Sequence, residues 1–181
     1  TLIVDDVAPA DLSVMWKAWG GTDISNAEAI TVDSPAVAGT VEVNLVGAFQ
    51  PDVLLIFSSS DVAADNGATN NAGGFGFGFT TGTAAAQNVC IAGSEDDASP
   101  QMDTDGYIQD GECLAVIERT GGTVVVRAVL SSFDADGFTL NYTESGLASV
   151  NAVVLAIKGG QWRAGSYTID GSTLNATATV S

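Results

Sequence analysis

The residues best equipped for chemistry in this 181-residue chain are the acids of one stretch, Gly93–Glu112, which carries Glu95, Asp96, Asp97, Asp103, Asp105, Asp110 and Glu112. Within it, Asp103-Thr-Asp105-Gly106-Tyr-Ile-Gln-Asp110 sets carboxylates at alternate positions, the pattern with which a loop wraps a hard cation such as Ca²⁺. Asp103, Asp105, Asp110 and Glu112 are therefore the candidate metal ligands. Two departures weaken the match to a helix–loop–helix calcium loop: Ile108 stands where the glycine belongs, and no Glu occupies the twelfth position. The competing reading is a solvated acidic loop with no cofactor.

Catalysis finds little else to use. The chain has no histidine, so neither a Ser-His-Asp nor a Cys-His arrangement can be built. A Ser-Lys pair would have to recruit Lys17 or Lys158, each inside an apparent strand. Twenty-two acids make coincidental carboxylate pairs unavoidable, so spacing alone singles out no glycosidase pair. No glycine-rich loop opens a helix, which removes a phosphate cradle. The expectation is a protein that is not an enzyme. Trp16, Trp19 and Trp162 would form a platform for sugar rings if exposed together; the alternative is that they pack in or beside the core. Cys90 and Cys113 each lie in a short apolar run, which favours buried neighbouring thiols and leaves a disulfide open.

Composition narrows the partners. Five bases against 22 acids give a formal charge of −17. Affinity for nucleic acid and for anionic membrane surfaces comes from Lys and Arg, so both are expected to be repelled. No apolar run approaches the roughly 20 residues that a membrane helix needs. The chain begins at Thr1, as a processed product or a piece of something longer would. Hydrophobic residues make up 46% and charged ones 15%, with 21 glycines, a balance that favours a β-rich globular protein over a disordered one.

The elements that would position these groups read as short strands. Thr1–Val7 is an arm or edge strand (the arm extending to about residue 11), ended by Pro9. Leu12–Trp19 is an apolar run closing on Gly20-Gly21, similar in layout to Val150–Gly160, which is either a trace of an internal repeat or chance. Thr40–Leu45 alternates, with Val41, Val43 and Leu45 on one side, as a half-buried strand does. Val53–Phe57 is continuously apolar and suits the interior. Ser58–Gly74, containing Asp65, Asn70 and Asn71, reads as a long exposed loop suited to contacts. In Phe75-Gly76-Phe77-Gly78-Phe79 the period of two sends three rings one way and two bare glycine positions the other. Buried rings make this a core strand, and the glycine face is the sharper candidate for a subunit interface. Thr123–Phe133 is a long strand. Phe138–Tyr142 and Ala152–Ile157 read as an antiparallel hairpin, entered through Asp134-Ala-Asp136-Gly137, where Gly137 is free to adopt positive φ. A last hairpin turns at Asp170-Gly171 within residues 160–181. About ten to twelve strands and no convincing helix predict a single all-β domain over residues 1–181, an antiparallel β-sandwich of jelly-roll type.

DGFTLNYT followed by VNAVVLAIKGG resembles the C-terminal signature of a β-rich domain of bacteriophage virion structural proteins, especially of marine phages. TVEVNLVGAFQPDVLLIF, Thr40–Phe57, is similar to that domain's opening strand, Gly-aromatic-Gln-Pro turn and second strand. Phe75–Thr81 and the acidic stretch ending in GECLAVIE fall where its middle strands lie, so the likeness spans about two thirds of the chain. It implies a structural component of the virion, a decoration or cement protein on the capsid surface that stabilises the head by non-covalent contacts. The partners it implies are the major capsid protein and further copies of this chain, as a homotrimer, through Thr1–Pro9, Ser58–Gly74 and Gly93–Glu112. A tail-fibre or appendage module binding host-surface glycans is the alternative.

Overall fold

The structure, a computed structural model, describes residues 23–59, 73–95, 104–118, 122–146 and 150–163. Ten strands follow one another among them: β1 (Ile24–Asp33), β2 (Gly39–Asn44), β3 (Val53–Ser59), β4 (Gly73–Thr80), β5 (Asn88–Glu95), β6 (Thr104–Asp110), β7 (Leu114–Ile117), β8 (Val124–Asp134), β9 (Gly137–Ser145) and β10 (Asn151–Gly159). A single 3₁₀ turn, Ala85–Gln87, links β4 to β5. The Thr1–Val7 and Leu12–Trp19 segments, all of the expected Ser58–Gly74 loop except its ends in β3 and β4, and the expected hairpin around Asp170 lie outside the described residues.

The strands form two antiparallel sheets, one of six strands in the order β1-β10-β3-β4-β5-β6 and one of four in the order β2-β9-β8-β7. We call them sheet A and sheet B. Their facing side chains share one core, with Leu54, Ile56, Val154 and Ala156 from sheet A against Val126, Leu130, Phe138 and Leu140 from sheet B. Each large apolar side chain buried in this way contributes roughly 1.5–3 kcal/mol. The expected all-β sandwich is what the chain forms. Its wiring is dominated by two meanders, β3–β4–β5–β6 and β7–β8–β9, and this order does not by itself make a jelly roll.

Two expectations about connections change. Phe138–Tyr142 and Ala152–Ile157 are not a hairpin: β9 pairs with β2 and β8 in sheet B, whereas β10 pairs with β1 and β3 in sheet A. The chain crosses the sandwich between them, pinned where Ser34 and Val150 exchange hydrogen bonds of 2.9 Å. The tight turn lies one strand earlier, over Ala135 and Asp136, with Asp134 paired to Gly137. The Asp134 carboxylate accepts hydrogen bonds of 2.7 Å from the hydroxyls of Ser132 and Thr139, tying both arms of that turn. Gly137 serves a close approach and not a positive φ, since a Cβ there would collide with the Val43 carbonyl oxygen of β2.

The acidic stretch is also more ordered than a loop. Residues Thr104–Asp110 form β6, in register with β5 from Val89↔Asp110 to Glu95↔Thr104. Tyr107 packs on a second buried cluster made by Cys90 and Ala92 of β5 with Ala115 and Ile117 of β7. Alternate residues of β7 thus serve two clusters, Leu114 and Val116 facing the main core and Ala115 and Ile117 this one. Sheet A curls around the edge of sheet B, and all four residues of β7 are buried.

Candidate functional site

The curl explains the Phe-Gly-Phe-Gly-Phe segment, and it reverses the face expected to be inside. Gly76 and Gly78 of β4 point inward against the backbone of β7. A Cβ on Gly78 would run into the Cys113 carbonyl, and one on Gly76 would meet Ser58 Oγ and come within 2.8 Å of the Ala115 carbonyl oxygen. The glycine face is therefore occupied by this chain's own β7 and is not a subunit interface. Sheet-to-backbone contact at this spacing admits no side chain, so the rings of Phe75, Phe77 and Phe79 turn to the outside of sheet A.

They have company there. Cross-strand register lines up Val153, Phe57, Phe77, Ile91 and Ile108 in one row over β10, β3, β4, β5 and β6. Leu155, Leu55, Phe79 and Val89 make the neighbouring row, closed by Asp110. Side chains in such rows are neighbours across the pleat, spaced for direct contact. Phe57 and Phe77 meet with ring centroids 5.2 Å apart at 52°. The face is open: Ile108 is 69% exposed, Phe75 64%, Val153 50%, Phe57 48% and Ile91 39%. Val53–Phe57 was expected to be wholly interior, but only its alternate residues Leu54 and Ile56, with Val53, are fully buried. At the corner of the face, Gly93 and Gly106 pair side by side and floor an apolar trough of about 600 Å³ beside Phe75. The Phe75 ring lies about 3.5 Å from where a Gly93 Cβ would be.

One end of this face is already covered. Gly159 and Gly160, both at positive φ (92° and 78°), turn the chain after β10. The Trp162 indole N–H then donates to the Gly159 carbonyl at 2.6 Å, and its ring lies 6.4 Å from that of Phe79. Trp162 is a partly buried fixture at the rim, hydrogen-bonded to its own chain, and Trp16 and Trp19 lie outside the described residues. The described residues therefore assemble no tryptophan platform.

Of the candidate metal ligands, the three described ones, Asp105, Asp110 and Glu112, do not converge on one point. Asp103 lies outside the described residues. Asp105 faces inward beside Gly122, opposite to the outward Asp110, and five residues of strand separate them by roughly 17 Å. Glu112 accepts a 2.9 Å hydrogen bond from the Tyr107 hydroxyl and lies 3.9 Å from Arg127, which pairs with Glu144 at 3.0 Å. Burial and that bond to Glu112 push the Tyr107 hydroxyl up to about 12. Among the described residues no three His, Cys, Asp or Glu side chains converge on one point. Asp65, Asn70 and Asn71 lie outside the described residues.

Cys90 and Cys113 are free and buried, as the apolar runs suggested. Burial, with the Glu112 charge nearby, raises the Cys90 thiol to about 12. Burial raises Cys113 further, and its S–H points 3.4 Å from the Ala128 carbonyl oxygen. Thiols held protonated in this way are poor nucleophiles.

Sequence reasoning singled out the three rings but missed Phe57, Ile91, Ile108 and Val153 as their companions. The available signal was pairwise: Phe57, Ile91 and Val153 sit in runs whose other face is also apolar, and Ile108 is a lone aliphatic residue in a polar strand, so no single strand reveals which face is outside. Comparison with family models, with curated proteins and with solved structures found no match.

Proposed function

We propose that this chain is a structural protein that works by contact area, and that its setting is a virion, as a decoration or cement component of a phage head. One observation carries the assembly part of this reading: the outer face of sheet A presents two rows of apolar side chains across its strands, on a chain of charge −17. Soluble monomers rarely leave a contiguous apolar patch above a few hundred Å². A protein whose task is to hold neighbours needs such a surface and needs no catalytic group. The similarity of the Thr40–Phe57 and Asp136–Gly160 stretches to phage virion domains supplies the setting. Trp162, beside Phe79 and bonded to Gly159, lines a cleft of about 460 Å³ with Asp52, Gln87 and Arg163, but it is a single partly buried ring and not the multi-ring platform on which the glycan-binding alternative rests.

Cryo-electron microscopy of the source particle tests the setting. Density for this chain over the capsid lattice, in fixed ratio to the shell protein, is the expected result. Density confined to the tail, or none in the particle, would overturn the head-decoration reading.

A further inference from the structure

The occupant of the apolar face follows from its charge and its size. By cross-strand register, the outward positions of sheet A run through Ala29, Thr31, Val153, Leu155, Leu55 and Phe57 to the three rings, Val89, Ile91 and Ile108. Among outward described positions of these strands the acids are Asp33, Glu95 and Asp110, each the last residue of its strand. Acids are thus cleared from the middle of the face and kept to its ends. A basic partner would be met by an acidic surface, because charge complementarity steers and selects partners. This face offers a basic partner nothing in its centre. Another copy of a chain with charge −17 can approach only where its own acids are absent, and the centre of sheet A is such a place.

The size agrees. Six strands at ~4.8 Å spacing, about eight residues long at ~3.4 Å per residue, outline a face on the order of 24 Å by 27 Å, or ~650 Å² before the end covered by Trp162 is subtracted and side-chain relief is added. A standard interface takes ~800 Å² from each partner. Two sheets stack at ~10 Å with their strands within about 30° of each other, interleaving side chains. The relief of this face suits such stacking, since the exposed rings stand proud and the Gly93–Gly106 trough receives.

We infer that the outer face of sheet A is a self-association surface, on which a second copy of this chain packs sheet to sheet about a two-fold axis. The inference rests on the assembly reading above and adds its partner. Each copy would bury Phe57, Phe75, Phe77, Ile91 and Ile108, while the outer face of sheet B stays in water. Like-charged chains repel over roughly 8 Å at physiological salt. Added salt therefore strengthens this pairing, whereas it would weaken binding to a basic partner.

Sedimentation velocity of the full chain over ~1–100 µM, at low and high salt, tests the inference. A species of two chains that gains population with salt is expected, and this arm needs no variant. Ile108→Asp and Phe57→Asp each place a carboxylate in the face at a solvent-exposed position and should weaken association by about tenfold or more. Asn141→Asp, on the outer face of sheet B, should leave it unchanged, with circular dichroism confirming the fold of all three. A dimer indifferent to both face substitutions, a species of three chains, or a monomer at every concentration would each overturn the inference. A monomer that binds a hydrophobic dye would assign the face to a different molecule. A monomer that does not would assign it to residues 1–22 or 164–181 of the same chain. Particle localisation is read separately, so a chain found on the shell but monomeric in solution would lose this partner and keep its assembly role.

Discussion

The two outer faces of the sandwich are built on the same antiparallel pleat and read in opposite ways. Outside sheet B, the cross-strand neighbours are Thr40 with Asn141 and Glu42 with Thr139, and Arg127 pairs with Glu144. Outside sheet A, Phe57 faces Phe77, and Ile91 faces both Phe77 and Ile108. Water satisfies the first set. The second loses by being wet, at roughly 25 cal/mol for each Å² of apolar surface. Strands β2, β8 and β9 therefore alternate as strands with one solvated face do, while β3 and β4 are apolar on both faces, as strands covered on both sides are. In the described residues only one of those covers is present.

This contrast depends on which side of β4 is inside, and the largest expected effect tests that directly. Gly78→Ala drives a methyl into the Cys113 carbonyl and should destabilise the chain by about 3 kcal/mol or more, read as a fall in denaturant midpoint or loss of folded protein. If the rings were the inner face, the substitution would be tolerated.

Next in size is an alkaline effect on the inner side of the curl. The Cys90 thiol rises from an ordinary 9.0 to about 12 on folding. The folded state thus keeps a proton that the unfolded chain gives up, so stability is intact below pH 9 and declines between pH 9 and about 12. Cys113 and Tyr107 are shifted upward too and add in the same direction. Denaturant midpoints measured across that range should fall with pH, and Cys90→Ala should make the slope shallower. An unchanged slope would mean that the second cluster is wet.

Smaller effects belong to the outer face of sheet A. Ile108→Ser removes a side chain that is 69% exposed and should cost the isolated chain under about 1 kcal/mol in chemical denaturation. Its larger consequence should be weaker association. The smallest change expected is at Gly106, where a Cβ would meet nothing within 4 Å. Gly106→Ala should shift the unfolding free energy by no more than ~0.5 kcal/mol, against the large penalty at Gly78 on the inner face of the same sheet.

Much of the strand inventory was legible in the chain. Thr40–Leu45 has one apolar and one polar face, and Thr123–Phe133 is a long apolar-rich run that follows a Gly-Gly pair in the sequence. Both became strands close to their expected bounds, β2 and β8. What misled was pairing and phase. Phe138–Tyr142 and Ala152–Ile157 are consecutive and apolar, which is equally true of a hairpin and of strands in opposite sheets. Only their register with β2 and β3 separates the two cases. Phe75–Phe79 was misread because burial of rings is the usual preference, and the curl around β7 overrides it by demanding the side with no Cβ. The acids of Thr104–Asp110 hid a strand whose inward members, Asp105 and Tyr107, find places beside Gly122 and on the second cluster. The apolar outer face of sheet A was the least legible part, because it exists only once five strands are set in register.

Hydroxyl-radical footprinting of the full chain along a dilution series tests most directly that the two outer faces differ in role. Phe57, Phe75, Phe77 and Ile108 should be shielded at high concentration and become reactive on dilution, while Val129, paired with Asn141 on the other sheet, keeps a constant rate. Rates at Phe57, Phe75, Phe77 and Ile108 that stay as constant along the dilution series as the rate at Val129 would contradict the account.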